Sequence, residues 1–233
     1  MVARPELDEF DTALLEHVGR YRISFRCIME RLFGQNSSPT PHIKKLARAK
    51  LIASDQGGKS EYAVWHLTYS GCRAAGVPKD RAEVLQRERS LPEAFKVLWL
   101  CCVHEPKLTR LDDAHVRGLL GDDITTRNRV YCADTDDYRL WRVHIPSDRT
   151  AVESVLKNIR EDYRALKKLP GSEKFFRTRR YGSLILVTKE QRANRFKLHL
   201  KECDLHKTGP VKNAVVPAWD ERHLRLKEWT RDG

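Results

Sequence analysis

The stretch from Ser37 to Gly76, SSPTPHIKKLARAKLIASDQGGKSEYAVWHLTYSGCRAAG, decides the fold of the N-terminal part of the chain. Thr40 can accept a hydrogen bond from a free amide at the start of a helix, and Pro41 suits the first helical position. The residues that follow divide at helical spacing into an apolar face and a basic face. The basic face comprises Lys44, Lys45 and Arg48. We predict a short amphipathic helix with one core side and one cationic side.

The residues after this helix predict a β-hairpin. Leu51–Ser54 and Tyr62–Leu67 have the composition of strands, and a short polar segment separates them. Gly57 and Gly58 permit a tight turn, because glycine adopts backbone conformations that other residues avoid. Lys59 places a cation at the tip of this hairpin.

Two further helices are predicted upstream. Residues 8–18 carry an apolar stripe with Gly19 as the end signal, and Ser24 is the expected N-cap of a second helix that Gly34 stops. The order helix, helix, basic helix, hairpin is that of a winged helix-turn-helix, in which the third helix enters the major groove and the hairpin touches phosphates. We therefore predict a winged helix-turn-helix DNA-binding domain over residues 1–77.

The residues expected to contact DNA follow from this assignment. Bases would be read from the third helix, by Ser38, Thr40, His42, Lys44, Lys45 and Arg48. Lys59 would contact a phosphate of the DNA backbone. Between Ser37 and Ser60 there are five basic residues and one acid, which favours DNA as the partner. A helical bundle with an incidental hairpin and a winged helix that binds protein are the alternatives.

The composition of the whole chain also favours a polyanionic partner. The 233 residues carry a formal net charge of +12, and the pI is near 9.5. Because the sequence has neither a long apolar run nor the apolar core of a signal peptide, we expect a cytoplasmic protein with no membrane partner. No small-molecule substrate is evident. The six cysteines are expected to be reduced, and the one candidate metal cluster matches no common ligand spacing: His199, Cys203 and His206.

Residues 91–207 predict a second domain of the α/β class. The apolar run Phe95–Val103 is expected to be a buried helix of this domain. The sequence then alternates as strand, acidic turn, strand, long amphipathic helix and apolar strand, over residues 129–133, 134–137, 138–146, 150–169 and 183–188. Strand, helix and strand in this order predict a parallel crossover. Residues 208–233 are left as a C-terminal tail.

The second domain contains the most basic segment of the chain. Between Arg164 and Lys201 there are twelve basic residues and two acids, a net charge of +10. Within this segment the loop Phe175–Tyr181 alternates aromatic residues with three arginines, Arg177, Arg179 and Arg180. The arginines suit phosphate contacts, and the rings would either stack on bases or anchor the loop to the core.

With these features the chain resembles the replication-relaxation family of plasmids, integrative elements and phages. The resemblance is carried by Leu51-Ile52 before the hairpin, Leu67-Thr68 and Gly71 after it, the Ala133-Asp134 turn, the strand Leu140–Ile145 and the strand end Leu186–Thr188. It implies a fold of the α+β or α/β class, in which a winged helix is joined to a restriction-endonuclease-like α/β domain. Some relatives, the relaxases of the mobilisation C type, are similar to metal-dependent nucleases that nick plasmid DNA.

A nuclease of this kind needs carboxylates from two strands to hold Mg²⁺ at the scissile phosphate. Asp134 and Asp136 are the candidate catalytic acids of the first strand. The resemblance implies Glu-x-Asp or Glu-x-Lys in the next strand, where this sequence has Arg142 and His144. An arginine cannot ligate a metal ion. The missing acid would have to come from the following turn or helix, from Asp148 or Glu153.

We therefore predict a site-specific double-stranded DNA-binding protein that is associated with a mobile element or its regulation, without catalytic activity or a bound cofactor. A homodimer on palindromic sites is the expected assembly. A Mg²⁺-dependent DNA nickase or relaxase is the first alternative function, and a protein–protein adaptor built on a winged helix is the second.

Overall fold

The computed structural model describes residues 6–35, 38–55, 62–86, 90–105, 107–126 and 129–231. It confirms a mixed α+β fold of helices and sheets. The chain divides into two compact units. The N-terminal unit comprises Met1–Cys102 and Pro217–Gly233, and the C-terminal unit comprises Val103–Val216.

The N-terminal unit contains the predicted helices and the two predicted arms of the hairpin, together with other elements. Their bounds are α1 Glu9–Tyr21, β1 Ser24–Phe25, α2 Arg26–Phe33, α3 Thr40–Arg48, β2 Ile52–Ser54, β3 Val64–Leu67 and α4 Tyr69–Ala74, followed by a 3₁₀ helix Lys79–Gln86 and α5 Ser90–Trp99. The described strands form an antiparallel sheet in the order β1-β3-β2. Strands β2 and β3 are the two arms of the hairpin, and α3 precedes them directly.

Helix α1 starts at a capping box and runs further than predicted. The side chains of Asp8 and Asp11 each accept a hydrogen bond from the other residue's backbone amide, which satisfies two amides that have no partner within the helix. The helix passes through Gly19 and ends at Tyr21, where Arg22 adopts a left-handed φ of 71°. The sequence pattern placed this end at Gly19, which instead lies buried within the helix.

Two predicted helix caps are wrong. Ser24 lies in β1, Phe25 takes the cap position of α2, and the Ser24 hydroxyl is 2.9 Å from His17 Nε2. Pro39 is the residue that precedes α3, and Thr40 is already helical. Both hydroxyls are engaged elsewhere in the tertiary structure, which competes with a local cap. Thr68 does cap α4, because its Oγ1 accepts a hydrogen bond from the Gly71 amide at 3.0 Å.

The core of the N-terminal unit joins α1, α3 and the hairpin. Its buried side chains come from these elements and their neighbours: Leu14, Leu15, Val18, Met29, Ile43, Leu46, Leu51, Ile52, Trp65, Leu67 and Cys72. The predicted apolar face of α3 therefore faces the core. A separate aromatic contact brings the C-terminal tail to this unit, because Trp219 packs against Phe25 and Phe95 with ring centroids 6.5 and 5.7 Å apart.

The C-terminal unit is built on a mixed sheet. Its elements are β4 Leu108–Arg110, α6 Asp113–Leu120, β5 Val130–Asp134, β6 Leu140–His144, α7 Val152–Lys167, α8 Glu173–Arg177, β7 Tyr181–Val187, α9 Glu190–Glu202, α10 Leu205–Thr208 and β8 Val211–Val215. The strand order is β4-β5-β6-β7-β8. Strands β4, β5 and β6 pair antiparallel, whereas β6, β7 and β8 pair parallel. The predicted crossover from β6 through α7 to a parallel β7 is confirmed.

The register of this sheet places alternate residues of β6 on opposite faces. Arg142 pairs with Tyr131 and with Ser183, whereas Trp141 pairs with Gly182. Arg142, Tyr131 and Ser183 lie on the face that α7 covers, because Tyr131 belongs to the same buried cluster as the apolar residues of α7. Polar positions of β6 are therefore enclosed beneath a helix.

The compact units divide the chain at other points than the sequence pattern did. The apolar helix α5 and the residues up to Cys102 belong to the N-terminal unit, whereas the pattern placed Phe95–Val103 in the second domain. The chain from Pro217 onward also returns to the N-terminal unit, and it contains α11 Arg222–Arg231. Helix α11 is held there by Arg31, which lies 4.4 Å from the centroid of the Trp229 ring. No helix among the described residues is long and apolar enough to cross a membrane.

The close approach of α4 to the hairpin gives a test of this fold. A Cβ atom at Gly71 would overlap the Leu51 carbonyl oxygen, which also accepts a hydrogen bond from the Thr68 amide at 3.0 Å. We expect Gly71→Ala to lower the free energy of unfolding by about 1–3 kcal/mol, because the clash is with backbone that cannot rotate away. Urea unfolding followed by circular dichroism measures this change.

The matched control is Gly118→Ala in α6, where an added Cβ meets no atom within 4 Å. There the same substitution should raise the stability by about 0.5–1 kcal/mol through helix propensity. Equal effects of the two substitutions would contradict the placement of α4 against the hairpin.

Candidate nucleic-acid interface

Helix α3 presents a small set of cationic side chains to solvent. Lys44 and Arg48 are exposed and lie one helical turn apart, on the side opposite the buried residues Ile43 and Leu46. Neither forms an ion pair with another described residue. Ser38 is exposed just before the helix, and its Oγ accepts a long hydrogen bond from the Thr40 amide. This set is available to a partner.

Two other predicted DNA contacts are turned toward α1. His42 Nδ1 lies 2.8 Å from Asp11 Oδ1, and its ring stacks on Phe10 with centroids 4.4 Å apart. Lys45 Nζ donates a hydrogen bond of 2.5 Å to Asp11 Oδ2 and lies 3.8 Å from Asp8 Oδ2. His42 and Lys45 therefore hold α3 against α1 rather than pointing freely outward.

The predicted contact at Thr40 is likewise internal. Its Oγ1 donates to Glu30 Oε1 and accepts from Arg26 Nη2, each at 3.1 Å. Arg26 and Glu30 are themselves joined by an ion pair of 2.7 Å along α2. Thr40 thus fastens the start of α3 to α2, and the six predicted base contacts separate into three outward residues and three internal ones.

Asp11 is the acid around which this arrangement forms. Its side chain is fully buried. Burial alone raises the pKa of a carboxyl group, but hydrogen bonds from Lys45, His42 and the Asp8 backbone outweigh that effect, and the pKa of Asp11 lies below its ordinary value of 3.8. Asp11 is therefore ionised at neutral pH, and its charge is balanced by residues of α3.

Asp8, Asp11 and His42 are the group of potential metal ligands that come together within the described residues. The Lys45 ammonium already lies against both carboxylates, at the distances given above. This ammonium supplies the positive charge that a metal ion would bring, so the cluster is better understood as an ion-pair network. In the cluster considered from sequence, His199 instead faces Glu153 and Glu202, and the side chain of His206 lies outside the described residues.

Asp55 joins the two arms of the hairpin at the end nearest its predicted tip. Its Oδ1 accepts a hydrogen bond of 2.9 Å from the Val64 amide, and its own amide donates to the Val64 carbonyl at 3.2 Å. Lys59 and the glycines of the predicted tip lie outside the described residues. The described part of the hairpin thus ends just before the predicted phosphate contact.

The arginine-rich loop of the C-terminal unit is exposed and well anchored. Arg177, Arg179 and Arg180 are all exposed at the end of α8 and the start of β7. Phe175 is buried, and the Phe176 ring packs against Tyr163 and Tyr181 with centroids 5.9 and 5.7 Å apart. Of the two roles considered for these rings, the structure favours anchoring. The arginines are left at the surface.

Asp134 and Asp136 lie in the turn between β5 and β6. Asp134 is buried, and its Oδ1 accepts a hydrogen bond of 3.0 Å from the Asp136 amide. Lys107 Nζ lies 3.8 Å from Asp134 and 3.9 Å from Asp136. A carboxylate that bonds the backbone two residues later is typical of a turn, and a lysine balances its charge.

The sheet separates these acids from Arg142 and His144. Ala133 pairs with Leu140, so Asp134 lies beside the start of β6, and the end of β6 is about 13 Å further along the strand. The alternation of the strand also places Asp134 on the opposite face from Arg142. Asp148 and Glu153 follow the far end of β6, so the structure does not bring them to Asp134. The two predicted catalytic acids remain without a carboxylate from β6.

Arg142 and His144 belong to a different, enclosed cluster. Asp162 of α7 lies 3.4 Å from both Arg129 and Arg142, and 4.0 Å from His144 Nε2. Burial, together with the charges of Arg142 and Arg129, lowers the pKa of His144 to about 3, so this ring is neutral at neutral pH. Sequence reasoning missed the role of Asp162, because its partners are fixed by strand register and helix packing.

Comparison of the chain with protein-family models, with curated proteins and with solved structures gave no match. The geometry of the described residues therefore carries the functional argument.

The Asp11 network should make stability depend on acidity. Because the folded pKa lies below 3.8, ionised Asp11 stabilises the fold above that pH, and the contribution is lost as the pH falls through the lower folded value. Asp11→Asn should lower the unfolding free energy at neutral pH by about 1.5–3 kcal/mol and flatten its decline in acid. Urea unfolding across this pH range measures both effects. The control is Asp123→Asn, which replaces an exposed carboxylate. If the unfolding free energy of Asp11→Asn declined in acid as steeply as that of the wild type, the result would contradict the network.

The separation of Asp134 from the far end of β6 predicts the outcome of a nuclease assay. We expect supercoiled plasmid to remain supercoiled after incubation with the protein and Mg²⁺ or Mn²⁺. Metal-dependent open circles that disappear in a folded Asp134→Ala variant would instead establish the nickase activity considered above.

Proposed function

We propose that this protein binds double-stranded DNA at specific sites without cutting it. The observation that carries the proposal is the division of the cations of α3 into two groups. His42 and Lys45 lie against the buried Asp11 of α1, whereas Lys44 and Arg48 remain exposed without an ion-pair partner among the described residues. Lysine and arginine on such a face are suited to base edges and phosphates.

We further propose that the N-terminal unit is a winged helix. The order of its elements, α1, β1, α2, α3, β2 and β3, with a sheet of order β1-β3-β2, supports this assignment. In such a domain the helix before the hairpin enters the major groove and the hairpin contacts the flanking backbone. Lys59 would then make the hairpin contact.

The rigidity of α3 supports specific binding. Thr40 fixes its start to α2, His42 and Lys45 fix its middle to α1, and Ile43 and Leu46 are buried. A reading helix must keep its side chains in a defined position relative to the groove, because a side chain that moves cannot discriminate between bases. Ser38, Lys44 and Arg48 are the residues we assign to this contact.

The C-terminal unit would supply affinity that does not depend on sequence. Arg177, Arg179 and Arg180 are exposed in a basic segment, and contacts of such residues with phosphates release counterions. The mixed sheet and its crossover helices support a restriction-endonuclease-like fold, as the resemblance to the replication-relaxation family implies. The position of Arg142 and His144 in β6 supports the view that this domain is degenerate rather than catalytic. A homodimer on a palindromic site remains the assembly we expect.

Charge reversal on α3 tests the proposal. Lys44→Glu combined with Arg48→Glu should abolish specific duplex binding, because two acids would face the DNA backbone. Fluorescence anisotropy with a selected duplex measures the affinity. The control variant, Arg20→Glu with Arg73→Glu, makes the same change of charge at exposed positions of α1 and α4 and should bind much more tightly than the α3 variant. Equal losses of affinity for both variants would show that net charge, and not α3, determines binding.

The salt dependence of binding tests the role of the arginine-rich loop. Replacing Arg177 and Arg180 by alanine should reduce the slope of log affinity against log salt by about one unit for each phosphate that the variant no longer neutralises. The preference for the selected sequence over a random duplex should stay unchanged. A variant without sequence preference would place base reading in the C-terminal unit.

A further inference from the structure

The turn between β5 and β6 exposes an aromatic ring at the edge of the arginine-rich loop. Tyr138 is 73% exposed, the most exposed of the large hydrophobic side chains described. Its backbone has a φ of 53°, a left-handed value that residues other than glycine rarely adopt. The ring therefore stands at the surface on a short turn whose backbone is held by its surroundings.

The turn is hydrogen-bonded to the arginine-rich loop. Arg139 Nε donates a hydrogen bond of 3.3 Å to the Arg179 carbonyl, and the Leu140 amide donates one of 2.7 Å to the Arg180 carbonyl. Arg179 also has a left-handed φ of 53°. The residue after Tyr138 is thus bonded to the loop that carries the arginines. We call Tyr138 with Arg177, Arg179 and Arg180 the Tyr138 edge.

The charges at this edge favour a polyanion although the turn itself is acidic. Lys107 lies against Asp134 and Asp136, and Arg139 Nη1 lies 3.1 Å from Asp137 Oδ2. Each acid of the turn therefore has a cationic neighbour. Arg177 and Arg180 are exposed and form no ion pair with another described residue. Their charge is available on the loop to which the turn of Tyr138 is hydrogen-bonded.

Exposed aromatic rings together with cationic side chains are the arrangement by which proteins hold single-stranded nucleotides. Every base has a flat face that can stack on a tyrosine, whereas the bases of an intact duplex are stacked on one another and do not offer this face. The rings of Phe175 and Phe176 cannot serve this role, because they pack into the core. Tyr138 is the ring of this edge that the structure leaves outside.

We propose that Tyr138 stacks on an unpaired DNA base, while Arg177 and Arg180 contact the phosphates on either side of it. The inference rests on the proposed DNA-binding function and extends it: the C-terminal unit takes single-stranded or unpaired DNA, such as the opened strands beside a binding site. Contact with the N-terminal unit is not required for this binding.

The test compares two DNA substrates with the full chain. Binding to an oligothymidylate of about 16 nucleotides and to a selected duplex is measured by anisotropy. Tyr138→Ala should weaken binding to the single strand by about 5- to 150-fold, the change that corresponds to removing one stacked base. Its affinity for the duplex should stay unchanged. Tyr138→Trp keeps a stacking ring and should bind the single strand at least as tightly as wild type.

A second experiment tests whether the base contacts the Tyr138 ring directly. Photocrosslinking of an oligonucleotide that contains iododeoxyuridine, followed by mass spectrometry, should find the adduct on Tyr138. The inference would be overturned if Tyr138→Ala bound the single strand as tightly as the wild type does. It would also be overturned if the wild-type protein bound the duplex but not the single strand. In both cases the proposed function would stand. Single-strand binding through Tyr138 without any duplex binding would overturn the proposed function and leave the stacking contact.

Discussion

The buried carboxylate of Asp11 is the interaction on which the N-terminal unit depends. Burying a charge is costly unless it is paired and hydrogen-bonded. Asp11 meets this requirement through the capping box of α1 and through His42 and Lys45 of α3. One acid therefore fixes the start of the first helix and ties that helix to the third. The position of α3 follows from this charge as well as from apolar packing.

The same interaction gives α3 its two kinds of cationic residue. Lys45 is used internally, whereas Lys44 next to it in the sequence faces outward with Arg48. A formal charge count along the chain cannot distinguish these roles, although they have opposite consequences for binding. In the C-terminal unit, Lys107 and Arg139 likewise offset the acids of the β5–β6 turn, so that Arg177 and Arg180 are left without an acidic partner among the described residues. In both units, internal pairing decides which cations are available to a partner.

Local patterns in the sequence predicted the elements well. The apolar face of α3, its exposed Lys44 and Arg48, the two arms of the hairpin and the apolar strand β7 all follow from nearest neighbours and periodicity, which are local properties. Helix ends were less predictable. Gly19 did not end α1, and the Ser24 and Thr40 hydroxyls bond to residues on other elements rather than to helix amides.

Features that depend on contacts between distant residues could not be predicted from the sequence. The register of β5 on β6 places Asp134 and Arg142 on opposite faces, and a shift of one residue would reverse this result. Asp162 joins Arg129 and Arg142 only after α7 has packed on the sheet. The return of Trp219 to Phe25 spans most of the chain. Spacing along the sequence contains no direct sign of these contacts.

Selection of bound sequences from a library of random duplexes tests the central claim most directly. If α3 reads DNA, the wild-type protein should enrich one short sequence motif, and Arg48→Ala should relax the base preference at a defined position of that motif while the other positions persist. Recovery of unenriched, random sequences by the wild-type protein at a salt concentration where it still binds DNA would contradict site-specific recognition.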